Sequence, residues 1–77
     1  MKISYDSKYN IAYIRLREKT AEIETIHISD ELNVDITPDG KIYGIELLNA
    51  NEQLEITKNG GLVLIDESTG KKAALPV

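Results

Sequence analysis

The sequence predicts a mainly β to α+β fold: a small antiparallel meander sheet of five or more strands, with a short helix after the fifth strand. Three observations favour this fold. Apolar and polar residues alternate in several short segments, which is the pattern of strands with one buried face. Residues 37–41, TPDGK, carry the residue types of a tight hairpin turn. Asn49 then precedes a segment with helix-capping chemistry.

The first three strands are predicted from alternation. A short strand around Ile3 ends in a turn through residues 6–10, and further strands follow over 11–17 and 22–29. Side chains alternate between the two faces of a strand, so the second strand places its apolar residues on one side. We expect that side, formed by Ala12, Ile14 and Leu16, to belong to the core.

The fourth and fifth strands flank the coded turn. Pro38 suits the first turn position and Gly40 a left-handed third position, which gives a three-residue loop with a type I turn and a bulge. The loop fixes a pairing that puts Ile36 opposite Ile42, Val34 opposite Gly44 and Leu32 opposite Glu46. In this register Asp35 and Glu46 lie on opposite faces of the hairpin, and Gly44 leaves room for a neighbouring side chain or backbone.

The last third of the chain is less regular. Asn49 with Glu52 three residues later predicts one or two helical turns within residues 49–56. The run LVLI at 62–65 is expected to form a buried or intermolecular strand. Residues 69–77 fit either a frayed tail or a last edge strand, whose pairing Pro76 would limit. We expect a single domain over 1–77.

Length and composition predict a dimer. The chain has 77 residues and no cysteine, so neither a disulfide nor a thiolate zinc site can add to a core worth roughly 3–5 kcal/mol. No apolar run is long enough for a signal peptide or a membrane span, so we expect a cytoplasmic protein without membrane contact. A net charge of −4 disfavours nucleic acid and suits a protein partner with a basic surface, although ordinary solubility also explains it.

Four segments resemble a known family. They are KISYD at 2–6, AYIRL at 12–16, VDI at 34–36 and DGKIYGIELLNA at 39–50. Together they resemble the small prokaryotic family known as domain of unknown function 2283, over a core of about residues 2–54, which leaves 55–77 as an extension. The resemblance implies a compact β-rich module without an established activity. It also suggests an antitoxin-like binding role, because some members lie beside genes of toxin-like ribonucleases. Members typically carry Asp-Ala-Leu where this chain has Asn10-Ile11-Ala12, which weakens the case for a catalytic carboxylate there.

The residues that could carry chemistry are few. His27 is the single histidine, and a triad would need Ser4 or Ser29 brought to it by the fold. Glu46 is expected to share a face with apolar residues, where it would act as a site acid, pair with Arg15 or Arg17, or reach water at the strand end. No catalytic, cofactor or metal site is predicted.

Two functions follow from these observations. The favoured one is a non-enzymatic protein-binding module, in which the candidate interface residues are Tyr13, Arg15, Tyr43, Ile45, Glu46, Leu62 and Leu64. It is favoured because tyrosines suit interfaces and the apolar run at 62–65 needs cover. The alternative is a small-molecule binder or enzyme with a shallow site near Glu46 and His27.

Overall fold

The computed structural model describes residues 1–18, 22–54 and 61–76, and it consists mainly of strands. The main sheet is formed by β1 (Lys2–Asp6), β2 (Ile11–Arg15), β3 (Glu24–Ser29), β4 (Leu32–Ile36) and β5 (Ile42–Leu48). The single turn of helix α1 (Ala50–Gln53) follows, and then β6 (Gly61–Ile65) and β7 (Lys72–Pro76). The predicted five-stranded antiparallel sheet with a short helix after its fifth strand is confirmed.

The strand order places β5 at the centre of the sheet. The order is β1-β2-β5-β4-β3, and every neighbouring pair is antiparallel. The strands β3, β4 and β5 form a meander, and the other edge of β5 pairs with β2 of the β1–β2 hairpin. A backbone bond from Leu16 N to Tyr43 O, 2.8 Å long, continues this central pairing by one residue.

One face of the sheet carries a continuous row of aliphatic side chains. Directly paired residues of antiparallel strands share a face, and the pairings run across all five strands. This aliphatic row consists of Ile3, Ile14, Ile45, Val34 and Ile26. Its central members are half-buried, whereas the end members Ile3 and Ile26 are 41% and 39% exposed.

The sheet has a thin core. Among the described residues, the buried hydrophobic side chains are Ala12, Tyr43 and Ala50, and no large side chain is fully enclosed. Helix α1 packs beside β2 rather than across the sheet. The apolar face of the sheet therefore remains largely open within the described part of the chain.

The coded turn forms as predicted, but the register beyond it differs. Gly40 has φ +84°, and Gly40 N donates to Thr37 O at 2.9 Å. Ile36 lies opposite Ile42, after which a bulge shifts the pairing by one residue. Val34 therefore lies opposite Ile45 rather than Gly44, and Leu32 lies opposite Leu47 rather than Glu46.

The physical reason for the shift is the match of apolar faces. The apolar residues of β4 are even-numbered, whereas Ile45 and Leu47 of β5 are odd-numbered. A register set by the loop alone pairs even with even numbers, so it would not place Ile45 and Leu47 opposite the apolar residues of β4. One extra residue in β5 restores the match. As a result Asp35 and Glu46 lie on the same face, and the predicted separation of these two carboxylates was wrong.

The helix start also differs from the predicted capping box. Asn49 has φ 53° and makes no side-chain cap bond to the backbone. Its amide nitrogen instead donates to Glu52 Oε2 at 2.9 Å, and its backbone oxygen accepts from Glu52 N at 3.2 Å. The helix ends at Gln53, and the remainder of the predicted helical segment, 55–56, lies outside the described residues.

Residues Lys72–Pro76 of the tail form an edge strand of a second sheet, and Val77 lies outside the described residues. β7 pairs antiparallel with β6, from Gly61 opposite Pro76 to Ile65 opposite Lys72. The connecting turn is held by Gly70, whose φ is +73° and whose N donates to Asp66 O at 2.8 Å. Residues 61–76 thus form a hairpin, which we call the C-terminal hairpin.

Candidate functional site

The side of the main sheet opposite the aliphatic row is polar. Its pairings form two adjacent rows across the five strands, one of Ser4, Tyr13, Glu46, Asn33 and His27, and one of Lys2, Arg15, Gly44, Asp35 and Thr25. We call this surface the polar face. Its central residues, on β2, β4 and β5, are half-buried or buried, and those on the edge strands β1 and β3 are exposed.

A chain of hydrogen bonds that starts at Tyr13 connects β2, β4 and β3 on the polar face. Its hydroxyl donates to Asp35 Oδ2 at 2.6 Å, and the other oxygen of Asp35 accepts from Thr25 Oγ1 at 2.6 Å. To reach Asp35, the tyrosine ring crosses β5 at Gly44, where a Cβ atom would lie 2.8 Å from Tyr13 Cε2. Gly44 therefore leaves room for a neighbouring side chain, as the sequence indicated, and that side chain is Tyr13.

The environment of Tyr13 keeps its hydroxyl protonated. Burial, together with the hydrogen bond to Asp35, raises the pKa of Tyr13 well above its usual value of 10.0. The hydroxyl consequently acts as a hydrogen-bond donor at neutral pH and not as a base. Asp35 already accepts two hydrogen bonds, which leaves this cluster satisfied within the chain.

Glu46 and His27 are connected through Asn33. The amide nitrogen of Asn33 donates to Glu46 Oε1 at 2.9 Å, and its oxygen lies 2.9 Å from His27 Nδ1. The Asn33 oxygen can only accept, so in this arrangement His27 donates from Nδ1. The structure therefore brings together the two residues of the predicted alternative site.

The surroundings of Glu46 differ from those predicted. Glu46 shares its face with Asn33 and Asp35 rather than with the apolar residues of β4, and it lies in the middle of a row rather than at an exposed strand end. Within the described residues, the salt bridge present joins Lys41 and Asp39, so Glu46 is paired with an amide and not with Arg15 or Arg17.

Neither Ser4 nor Ser29 forms a nucleophilic triad with His27. Ser4 lies in the same row but on the opposite edge strand, four strand spacings or roughly 19 Å away. Ser29 pairs with Leu32 and so belongs to the apolar face. Among residues 1–18, 22–54 and 61–76, no three histidine or acidic side chains come together in a group suited to a metal ion.

The seven candidate interface residues fall into four locations. Tyr13, Arg15 and Glu46 lie on the polar face, Ile45 lies in the aliphatic row, Tyr43 is 6% exposed, and Leu62 and Leu64 lie on β6. Leu64 is 61% exposed, whereas the side chain of Leu62 lies outside what the structure describes. The buried Tyr43 is thus unavailable to a partner in the folded chain.

A shallow cleft of about 270 Å³ opens at one edge of the sheet. Its lining includes Lys2, Arg15 and Arg17, and the Nε of Arg17 donates to Ile42 O at 3.1 Å. Neither Glu46 nor His27 lines this cleft. The cleft and the hydrogen-bonded group of Glu46, Asn33 and His27 therefore lie in different parts of the sheet.

The polar corner beside α1 was not identified from the sequence. Asn10 and Asn49 both adopt left-handed backbones, with φ values of 56° and 53°. Asn10 Nδ2 donates to Asn51 Oδ1 at 2.7 Å and to Asn49 Oδ1 at 3.2 Å, and Asn10 Oδ1 accepts from Asn51 N at 2.8 Å. These bonds fasten the first turn to the helix. The tolerance of asparagine for left-handed backbones was the available signal.

Comparisons with known proteins identify a family and nothing beyond it. No helix in the described part of the chain has the length and apolar character needed to cross a bilayer. No curated protein matches the chain, and no solved structure matches it. The model of the family described as "Protein of unknown function (DUF2283)" matches residues 2–51, which contain the whole main sheet and the start of α1. This chain therefore belongs to the DUF2283 family.

Proposed function

We propose that this protein is a protein-binding module that acts as a homodimer, in which each copy covers the apolar sheet face of the other. The observation that carries the proposal is the aliphatic row, which crosses all five strands and stays open within the described residues. Contiguous apolar surfaces of this kind mark interaction sites in soluble proteins. The dimer leaves the polar face of each copy free for a partner.

The accessible area of the chain supports a second copy as the occupant. A folded monomer of 8.6 kDa exposes about 4,700 Å² by the usual scaling with mass. This chain exposes 5957 Å², roughly 1,300 Å² more than that scaling gives. A stable protein interface buries about 800 Å² on each partner, so the surplus is sufficient for a dimer.

The dimer is tested by a charge placed at an exposed end of the aliphatic row. Ile3→Asp should convert the protein to a monomer, because the carboxylate would be buried without a partner at the interface. Since Ile3 is 41% exposed in the single chain, the fold itself should tolerate the change. Sedimentation equilibrium measures the outcome, and we expect wild type at twice 8.6 kDa.

Ser4→Asp is the matched control, because Ser4 is the next residue of the same strand and faces the polar side. It should remain dimeric. Far-UV circular dichroism checks that both variants are folded, and Ile26→Asp, at the other end of the row, replaces Ile3→Asp if that variant unfolds. A wild-type protein that sediments as a monomer would overturn the proposal.

A partner with a basic surface is the proposed ligand of the polar face. The carboxylates of Asp35 and Glu46 lie near its centre, and the chain carries a net charge of −4. An antitoxin-like role, in which the partner is a toxin protein, is one form of this proposal and rests on the family resemblance. A pull-down of the full chain from its native lysate should retain one stoichiometric basic protein.

Charge reversal on the polar face makes that pull-down specific. Glu46→Lys should abolish retention of the partner, whereas Glu52→Lys, a reversal at an exposed helix position away from the polar face, should retain it. Equal retention by both variants would place the partner elsewhere, and the absence of any retained protein would count against the binding module.

A small-molecule site on the polar face is the second candidate function. It is favoured by one observation, the contact of both Glu46 and His27 with Asn33. Nuclear magnetic resonance titration with a library of small polar compounds should then shift the signals of these three residues together. Compounds that bind wild type but not Glu46→Gln would support this function, and a lack of any shift would dismiss it.

A further inference from the structure

The C-terminal hairpin is apolar on both of its faces. Val63, Leu64 and Ile65 are 55%, 61% and 47% exposed, and successive strand residues point to opposite sides. Opposite them on β7, Ala73 and Ala74 pair with Leu64 and Val63. Neither face is therefore a polar surface suited to water.

Hydrogen bonds within the turn stabilise the C-terminal hairpin. Asp66 Oδ1 accepts hydrogen bonds from Ser68 N at 3.0 Å and from Ser68 Oγ at 2.8 Å. These hydrogen bonds hold the pKa of the Asp66 carboxyl below its usual value. A two-stranded hairpin alone is nevertheless marginal in water, and it needs another surface to pack against.

The main sheet offers a surface of matching chemistry. In the described residues, the extensive contacts of β6 and β7 are with each other, and the aliphatic row is open at both ends. Within residues 1–18, 22–54 and 61–76, the chain thus carries two apolar surfaces that lack cover. The family match ends at residue 51, so the hairpin lies outside the matched segment.

We propose that the C-terminal hairpin of each subunit packs on the aliphatic row of the other subunit. This inference rests on the proposed homodimer and names the element that holds it together. In a twofold dimer built in this way, each subunit provides one hairpin and receives one. The aliphatic row and the hairpin of both subunits are then covered. The surplus of roughly 1,300 Å² per chain is of the size that such an exchange would bury.

Cysteine cross-linking tests the exchange in the full chain. The chain has no cysteine, so an introduced cysteine is the only thiol present. Leu64→Cys chains mixed with Ile26→Cys chains that carry an added affinity tag should form a mixed disulfide under mild oxidation, and the mass of one tag distinguishes it from the disulfides of two like chains, which carry no tag or two. Leu64→Cys mixed with Thr25→Cys is the control, because Thr25 neighbours Ile26 on the same strand and faces the polar side. The control should form no mixed disulfide.

Three results would overturn the exchange, and they separate it from the proposed function. A doubly substituted chain with both Leu64→Cys and Ile26→Cys that cross-links only within itself would mean that the hairpin covers its own sheet. No mixed disulfide in a protein that sediments as a dimer would mean that the sheets pack directly, so the dimer would stand without the exchange. A wild-type protein that sediments as a monomer would overturn both the exchange and the proposed homodimer.

Discussion

At the scale of single residues, Gly44 and Tyr13 form one unit on the polar face. The ring of Tyr13 occupies the space that a side chain at Gly44 would need, and its hydroxyl donates to Asp35 at 2.6 Å. The sequence predicted that Gly44 makes room, but it could not predict for which side chain. That information depends on β5 lying between β2 and β4, a pairing between segments distant in sequence.

Gly44→Ala should destabilise the protein by about 1–3 kcal/mol, because the new methyl group displaces the Tyr13 ring and breaks its bond to Asp35. In a Tyr13→Ala background the same change should cost much less, since no ring remains to be displaced. Urea unfolding of the four proteins gives the coupling energy between the two sites. Equal losses of unfolding free energy in both backgrounds would mean that the Tyr13 ring does not occupy the space at Gly44.

The raised pKa of Tyr13 predicts a loss of stability at high pH. The folded protein holds the hydroxyl proton at pH values where the unfolded chain releases it, which begins near the usual pKa of 10.0. The stabilising contribution is therefore complete below about pH 10 and declines as pH rises further. Tyr13→Phe should flatten this decline in urea unfolding measured across that range. A decline as steep as in wild type would assign the effect to other groups.

At the scale of elements, the hairpin of β4 and β5 shows what the sequence predicts and where local reasoning stops. Residue types at the turn predicted its three-residue loop, because Gly40 needs a left-handed backbone. The bulge, in which Tyr43 is the extra residue of β5, is set instead by the match of apolar faces across the two strands. The sequence contained that signal, because the apolar residues of β4 have even numbers and Ile45 and Leu47 have odd numbers, but the residue types at the turn alone did not reveal it.

The error in register also changed the prediction of the site. Asp35 and Glu46 were expected on opposite faces, whereas the bulge brings them to the same face. The hydrogen bonds from Asn33 to Glu46 and from Thr25 to Asp35 depend on that register. A single displaced residue therefore decides which polar side chains meet, and alternation within one strand gives no information about it.

The left-handed turn predicts the effects of two substitutions. Gly40→Val should cost about 1–2 kcal/mol, because φ +84° is strained for a β-branched residue, although a Cβ there would meet no atom within 4 Å. Gly40→Asn should cost less, since asparagine tolerates this backbone. Urea unfolding compares both variants with wild type. Equal losses for both would mean that the backbone strain is not the cause.

At the scale of the whole molecule, the thin core is the feature that the sequence predicted most directly. The length of the chain and its lack of cysteine indicated a small core, and the structure buries Ala12, Tyr43 and Ala50 among the described hydrophobic residues. The sequence could not predict that one aliphatic row would cross all five strands, because the strand order sets that row.

The proposed dimer predicts that thermal stability depends on protein concentration. Association that favours the folded state raises its apparent stability by mass action. The unfolding midpoint of wild type should rise with concentration, whereas that of Ile3→Asp should stay constant. Calorimetry over a wide concentration range measures both. A wild-type midpoint that does not change would argue against a coupled dimer.

The central position of β5 also governs when the chain can fold during its synthesis. The pairs β1 with β2 and β3 with β4 are each only two strands wide, and such hairpins are marginal on their own. Only β5, residues Ile42–Leu48, joins them into one sheet. A nascent chain therefore gains no stable sheet until Leu48 has left the ribosome, and any chain that stops earlier should be a substrate for cellular proteases.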